Sequence, residues 1–291
     1  MGDRRTLTRS ELPIDRIVVV ANEDNDEPLL DMAAQMAEAL RAELHGLFIR
    51  SEALNDFAAL PFAATSRPGA RQSQPVNPEA IEKAWTKGET RFRRSLGRLA
   101  TERRTTCSFM SRRGKFGMCL TEGVRSTDLI ALSGDAPWVT GAMQFEAARE
   151  AAQSAFGVLI SGRSQRRARG HRGPVFAINC GDPADAETVT FATMLAQVTG
   201  RSLVVLDIGA TDLNQSAPPR GLERMSNSVR RMPGASAQQI MKTINEFGPA
   251  LVVADLRGEM FSESEDNLLD RLLARLKPPL MLISRGAGGG D

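Results

Sequence analysis

The stretch "RIVVVANEDNDEPLLDMAAQMAEALRAELHGLFI", residues 16–49, decides the fold. Its β-branched run stops at Asn22, and an acidic turn follows. Leu29, Ala33, Met36, Ala37 and Leu40 then recur at i, i+4, i+7, i+8 and i+11, one face of an amphipathic helix. A new apolar run opens at Leu44. Short, almost unbroken aliphatic runs are typical of strands buried on both faces of a parallel sheet. Strand, helix and strand in this order therefore predict a right-handed crossover unit.

The pattern returns at "GPVFAINCGDPADAETVTFATMLAQVTGRSLVVLDIG", residues 173–209, with Asn179 where Asn22 stood. Ile17 precedes Leu44 by 27 residues, and Val175 precedes Leu203 by 28. "DLIALSG" (128–134) returns as "ALVVADLRG" (250–258), and "FGVLISGR" (156–163) as "PPLMLISRG" (278–286). The later pairs are offset by 122 residues and the first by about 158, so the second half lacks about 36 residues in its middle. Duplication with one internal length change accounts for all the correspondences. The helix expected over 78–103 has no partner in the second half.

Further helices are expected over 27–42, 115–125 and 144–155, then 184–199, 235–247 and 264–276. Alternation of these with strands predicts an α/β doubly wound architecture in two domains, residues 14–163 and 172–286. A basic linker (164–171) and tails (1–13 and 287–291) complete the division. "LNDFAALPF" (54–62) is too apolar for free chain, whereas the Pro-, Ser- and Gln-rich residues 65–78 read as a mobile loop.

The chain has 291 residues, length for about two domains. A net charge of +2 supplies no field for nucleic acid or anionic membrane. No apolar run reaches the roughly 20 residues that span a bilayer, and the N-terminus lacks the apolar stretch of a secretory signal. Three cysteines without zinc spacing (Cys107, Cys119 and Cys180) suit reduced thiols in the cytoplasm, with Cys107 and Cys119 expected as buried structural thiols.

On these residues each half resembles the universal stress protein domain. "IVVVAN" and "PLLDMAAQMAEALRAELHGLFI" are similar to its first strand, helix and second strand. "DLIALSG" and "ALVVADLRG" resemble its fourth strand, and "GVLISG" and "PLMLIS" its fifth. The resemblance implies two tandem Rossmann-like domains of the adenine nucleotide alpha hydrolase-like type. Each would be an open five-stranded parallel sheet in the order 3-2-1-4-5, and the two would pair as an intramolecular pseudo-dimer. It leaves room for a homo-oligomer or a protein partner.

Some members of that family bind ATP through an Asp ending strand 1 and a glycine pattern after strand 4. The glycines let backbone amides close on phosphate. Here Asn22 and Asn179 stand at the Asp position. Gly134 and Gly141 follow strand 4 of the first half, with six residues between them and no Gly-Ser or Gly-Thr afterwards. Gly258 of the second half precedes the acidic "EMFSESED". The candidate adenine-nucleotide residues are thus Asn22, Glu23, Gly134, Gly141 and Asn179. Glu23, Asp24, Asp26 and Glu27 cluster before a helix, where they complement its dipole without a metal.

No catalytic residue emerges. His45 falls in strand 2 as a core histidine, and His171 in the linker. Arg91, Arg93, Arg94, Arg98, Arg103 and Arg104 read as a solvated helix face, as do the linker arginines, so nucleic acid is not an expected partner. The expectation is a non-enzymatic regulatory or binding protein of the stress response. Its alternatives are an ATP-binding protein with slow ATPase activity and a docking scaffold using residues 51–78.

Overall fold

The computed structural model describes residues 14–21, 26–52, 56, 64–65, 74–75, 77–134, 150–161, 173–181, 185–209, 228–256 and 277–284. In the first half β1 (Arg16–Ala21) leads through α1 (Glu27–Leu40) to β2 (Glu43–Ser51). A two-residue antiparallel ladder, β3 (Ala64–Thr65) with β4 (Gln74–Pro75), lies in the stretch expected as mobile loop. Then come α2 (Pro78–Arg103), β5 (Cys107–Gly114), α3 (Phe116–Thr121), β6 (Asp128–Leu132) and β7 (Gly157–Ile160). The second half runs β8 (Val175–Asn179), α4 (Asp185–Val198), β9 (Leu203–Asp207), β10 (Ser228–Arg231), α5 (Ala237–Phe247), β11 (Leu251–Asp255) and β12 (Leu280–Ile283).

Ten strands form one sheet in the order β10-β9-β8-β11-β12-β7-β6-β1-β2-β5. Each half contributes five parallel strands, with its first strand in the middle and its third at the outer edge. The halves meet where β7 and β12 run antiparallel, Ile160 opposite Leu280 and Val158 opposite Leu282. A side chain at Gly157 would begin 2.4 Å from the Leu282 carbonyl oxygen, so the joint requires glycine there. Ser284 extends the joint: its N–H donates to the Phe156 carbonyl (3.1 Å) and its hydroxyl to that of Ala155 (2.8 Å). Phe156 packs on Phe191 across it, ring centroids 5.1 Å apart.

Strand alternation splits the core into two layers, one on each face of the sheet. Ile17, Val19, Leu44, Phe48, Leu129 and Ala131 pack with α1, α2 and α4. Val18, Val20, Leu47, Ile49 and Ile130 face the other way, with α3, α5 and the helical residues 150–154. α1 buries Leu29, Ala33, Met36, Ala37 and Leu40 as their spacing predicts, and ends at Arg41 in the left-handed region (φ 58°). α2 buries Trp85, Phe92, Leu96 and Leu99, and Arg103 near its end pairs with Asp31 (3.2 Å) and Glu38 (3.3 Å) of α1.

The expected helix over 115–125 stops at Thr121. Gly123 turns there with φ 81°, and its carbonyl accepts from the Arg16 guanidinium at 3.1 Å. The backbone leaves helical geometry at Glu122 (ψ 116°) and turns at Gly123, which ends the helix. Between β9 and β10 only residues 208–227 intervene, against 52–106 between β2 and β5, so a helix of α2's length plus its connections does not fit. Asn22, Glu23, Gly141, residues 57–63, the linker and the helix expected over 264–276 lie outside the described residues.

Candidate functional site

The crevice of an open α/β sheet forms at the carboxyl ends of its strands, where successive connections leave in opposite directions. In the first half this point lies between β1 and β6, and α1 starts above it. Asp26 is the N-cap of α1: its Oδ1 accepts the Leu29 N–H at 3.0 Å, as its place before the helix predicts. Its Oδ2 accepts two hydroxyls, Ser133 after β6 at 2.6 Å and Ser161 after β7 at 3.0 Å. One carboxylate therefore ties together the starts of three connections. A negative group at a helix N-terminus is what a bound phosphate would supply, and here the chain supplies it itself.

Gly134 follows Ser133, and its N–H donates to the Ser161 hydroxyl at 3.0 Å. A Cβ at Gly134 would lie 2.1 Å from the Ser161 carbonyl oxygen. The glycine is thus required by close packing of two chain segments. The structure brings Gly134 into the cluster with Asp26, Ser133 and Ser161. The two serines were not singled out from sequence, although their repeated place after an aliphatic strand was the available signal.

In the second half Asn179 ends β8. Its amide donates to Asp207, which ends β9, at 3.2 Å. Asp185 opens α4, and its Oδ2 accepts the Cys180 N–H at 2.6 Å. Asp255, ending β11, accepts the Thr188 hydroxyl at 3.4 Å. Asp185, Asp207 and Asp255 are all buried. A Cβ on Gly209 would collide with the Cys180 carbonyl oxygen, so the loops after β8 and β9 are pressed together. Among the described residues no group of three or more His, Cys, Asp or Glu is placed to hold a metal ion.

A second polar group lies at the opposite, amino end of the first half's strands. Arg16 grips buried Asp128 through two bonds, Nε to Oδ1 at 3.0 Å and Nη2 to Oδ2 at 2.6 Å. The bond to Asp128 raises the guanidinium pKa above its ordinary value. His45 Nδ1 lies 2.7 Å from the Ser108 hydroxyl, which also bonds the Glu43 carboxylate. Burial, then the charge of Arg16, lowers the His45 pKa. A catalytic triad needs the histidine between acid and hydroxyl, but here the hydroxyl lies between the other two. His45 is buried, as expected of a core histidine.

Cys119 is also buried, and burial pushes its thiol pKa up, away from nucleophilic character. Cys107 is exposed, against the expectation of a buried thiol, because it opens β5 at the free edge of the sheet.

The fold is that of universal stress proteins. A universal stress protein from Archaeoglobus fulgidus DSM 4304 superposes with a TM-score of 0.62 at 12% identity, covering 94% of this chain and 99% of that one. A functionally unknown protein from Pseudomonas aeruginosa PAO1 superposes with a TM-score of 0.55 at 14% identity, covering 95% and 94%. No protein-family model and no curated protein sequence matches the chain. Among the described residues no helix is long and apolar enough to cross a membrane.

Proposed function

We propose that the chain acts without catalysis, as a regulatory or binding protein of the universal stress type working in the cytoplasm. The observation that carries this reading is the polar cluster at the crevice of the first half, whose described groups already bond one another. Asp26 holds the α1 N-terminus with its own carboxylate, while Ser133, Ser161 and Gly134 are engaged with one another or with Asp26. In the second half the buried carboxylates of Asp207 and Asp255 repel an incoming triphosphate. Both features count against the ATP-binding alternative, to which Asn22, Glu23, Gly141 and Asn179 would contribute.

Calorimetric titration and thermal-shift measurement with ATP, ADP, AMP and cyclic AMP, each with and without Mg²⁺, test it. No heat of binding and no shift in Tm are expected. Saturable binding that disappears in an Asn22→Ala variant would replace this reading with the nucleotide-binding one.

A further inference from the structure

We infer that β5 is the docking edge for a second copy of this chain, giving a two-fold dimer whose sheet runs through both molecules. β5 ends the sheet order, and no described strand pairs with its outer side along Cys107–Gly114. In its ladder to β2, the Leu44 N–H donates to the Thr106 carbonyl. Even-numbered residues of β5 therefore turn their backbone groups inward. Cys107, Phe109, Ser111 and Arg113 turn theirs outward, where an added strand would find them. The edge contains no proline, and eight residues of it lie in unbroken register with β2. Such an edge is a template for another strand unless something blocks it.

The occupant follows from the strand's self-complementarity. Place the two-fold axis at Met110 and pair β5 with its copy antiparallel. The outward-facing residues then form the hydrogen-bonded pairs, Phe109 opposite Ser111 and Cys107 opposite Arg113. Met110, 42% exposed in the single chain, meets its own copy across the axis. Arg112 lies opposite Ser108 and Arg113 opposite Cys107, so no two arginines face each other directly across the axis. Arg112 and Arg113 do not act as free blocking charges, because Glu122 (2.8 Å) and Glu82 already engage them.

The opposite edge of the sheet does not compete well. β10 is four residues long, and two of them are Arg230 and Arg231. Pairing β5 to β10 would also be head-to-tail, producing open filaments rather than a closed pair.

Sedimentation of the full chain over a concentration series tests the proposal. A species of twice the 31.5 kDa chain mass is expected. Ser111→Pro removes an outward N–H and leaves the ladder to β2 intact, since an edge strand tolerates proline on its free side. Met110→Lys sets two like charges at the axis without touching the backbone, and covers the case in which the proline variant fails to fold. Each is expected to raise the dimer dissociation constant by more than about tenfold. Hydrogen exchange should show concentration-dependent protection at the amides of Phe109 and Ser111, and none at Met110, which is bonded inward at all concentrations. A monomer throughout, filaments, or a dimer indifferent to both variants overturns the proposal.

Discussion

At the carboxyl end of β6 the chain places Ser133, and 122 residues later, at the same point of β11, it places Asp255. Asp26 and Asp185 open the matching helices α1 and α4. In the first half one carboxylate meets two hydroxyls and a helix amide, and all of its partners lie within 3.0 Å. In the second half three buried carboxylates share one crevice and draw on a backbone N–H, an amide and a threonine. The amino ends of the strands differ in the opposite sense. Arg16 and Asp128 pair in the first half, where the second has Pro174 beside Ala250. His45 stands where the second has Val204. Both copies are therefore closed by polar bonds at the carboxyl end, whereas the amino end is sealed by an ion pair in one and by apolar residues in the other. The fold needs the crevice closed and the strand starts sealed, and it is indifferent to which chemistry does so.

The largest test of that comparison is at Arg16. Arg16→Met leaves the buried carboxylate of Asp128 without its cation, and should lower unfolding free energy by about 3–5 kcal/mol in urea titration. Arg16→Met with Asp128→Leu copies the apolar seal of the second half. It should recover most of the loss, since an apolar replacement for a buried ion pair is often neutral. A double variant as unstable as the single one would mean that the polar seal has a role the second half does without.

Asp26→Ala comes next. It removes the α1 cap and strands the hydroxyls of Ser133 and Ser161, for an expected loss of about 2–3 kcal/mol. Asp26→Asn keeps an acceptor for the Leu29 N–H and should lose about half as much. Equal losses would show that the hydroxyl bonds, rather than the cap, hold the connections together.

The strands and the two-copy plan were legible because parallel strands buried on both faces must be apolar runs, and Ile17, Val175, Leu129 and Leu251 mark them at repeated spacings. The α1 face and the acidic character of its start were legible for the same local reason, although which of the four acids caps the helix was not. Beyond these, the limits are physical. That Asp26 also receives Ser133 and Ser161 depends on residues 107 and 135 positions away, which no local pattern encodes. The early end of α3 goes with a turn at Gly123 whose carbonyl meets Arg16, 107 positions away. That Gly134, read as a phosphate-loop glycine, also packs against the Ser161 carbonyl depends on a partner 27 residues away. The exposure of Cys107 followed only from where β5 sits in the sheet, because edge and interior strands share local propensities.

The smallest effect expected is at His45, and its sign separates the two halves once more. Burial and the charges of Arg16 and Arg112 depress its pKa below 6.5, outweighing Glu43 and Asp128, which act to raise it. Well above pH 6.5 the ring is neutral in both folded and unfolded chains, and nothing is lost. As pH falls below 6.5 the unfolded chain takes a proton that the folded chain refuses. Stability therefore drops until pH passes the lower folded value, and stays flat below it. His45→Gln removes this titration, so the difference in stability between the native chain and the variant should grow with pH across about pH 5–7. In the second half Val204 occupies the matching place and cannot titrate, so the slope belongs to the first half alone. Urea midpoints of the two proteins at a series of pH values measure it. Parallel pH profiles would show that the Ser108 hydroxyl accommodates the protonated ring at no cost, and that the polar row at this end of the sheet is electrostatically passive.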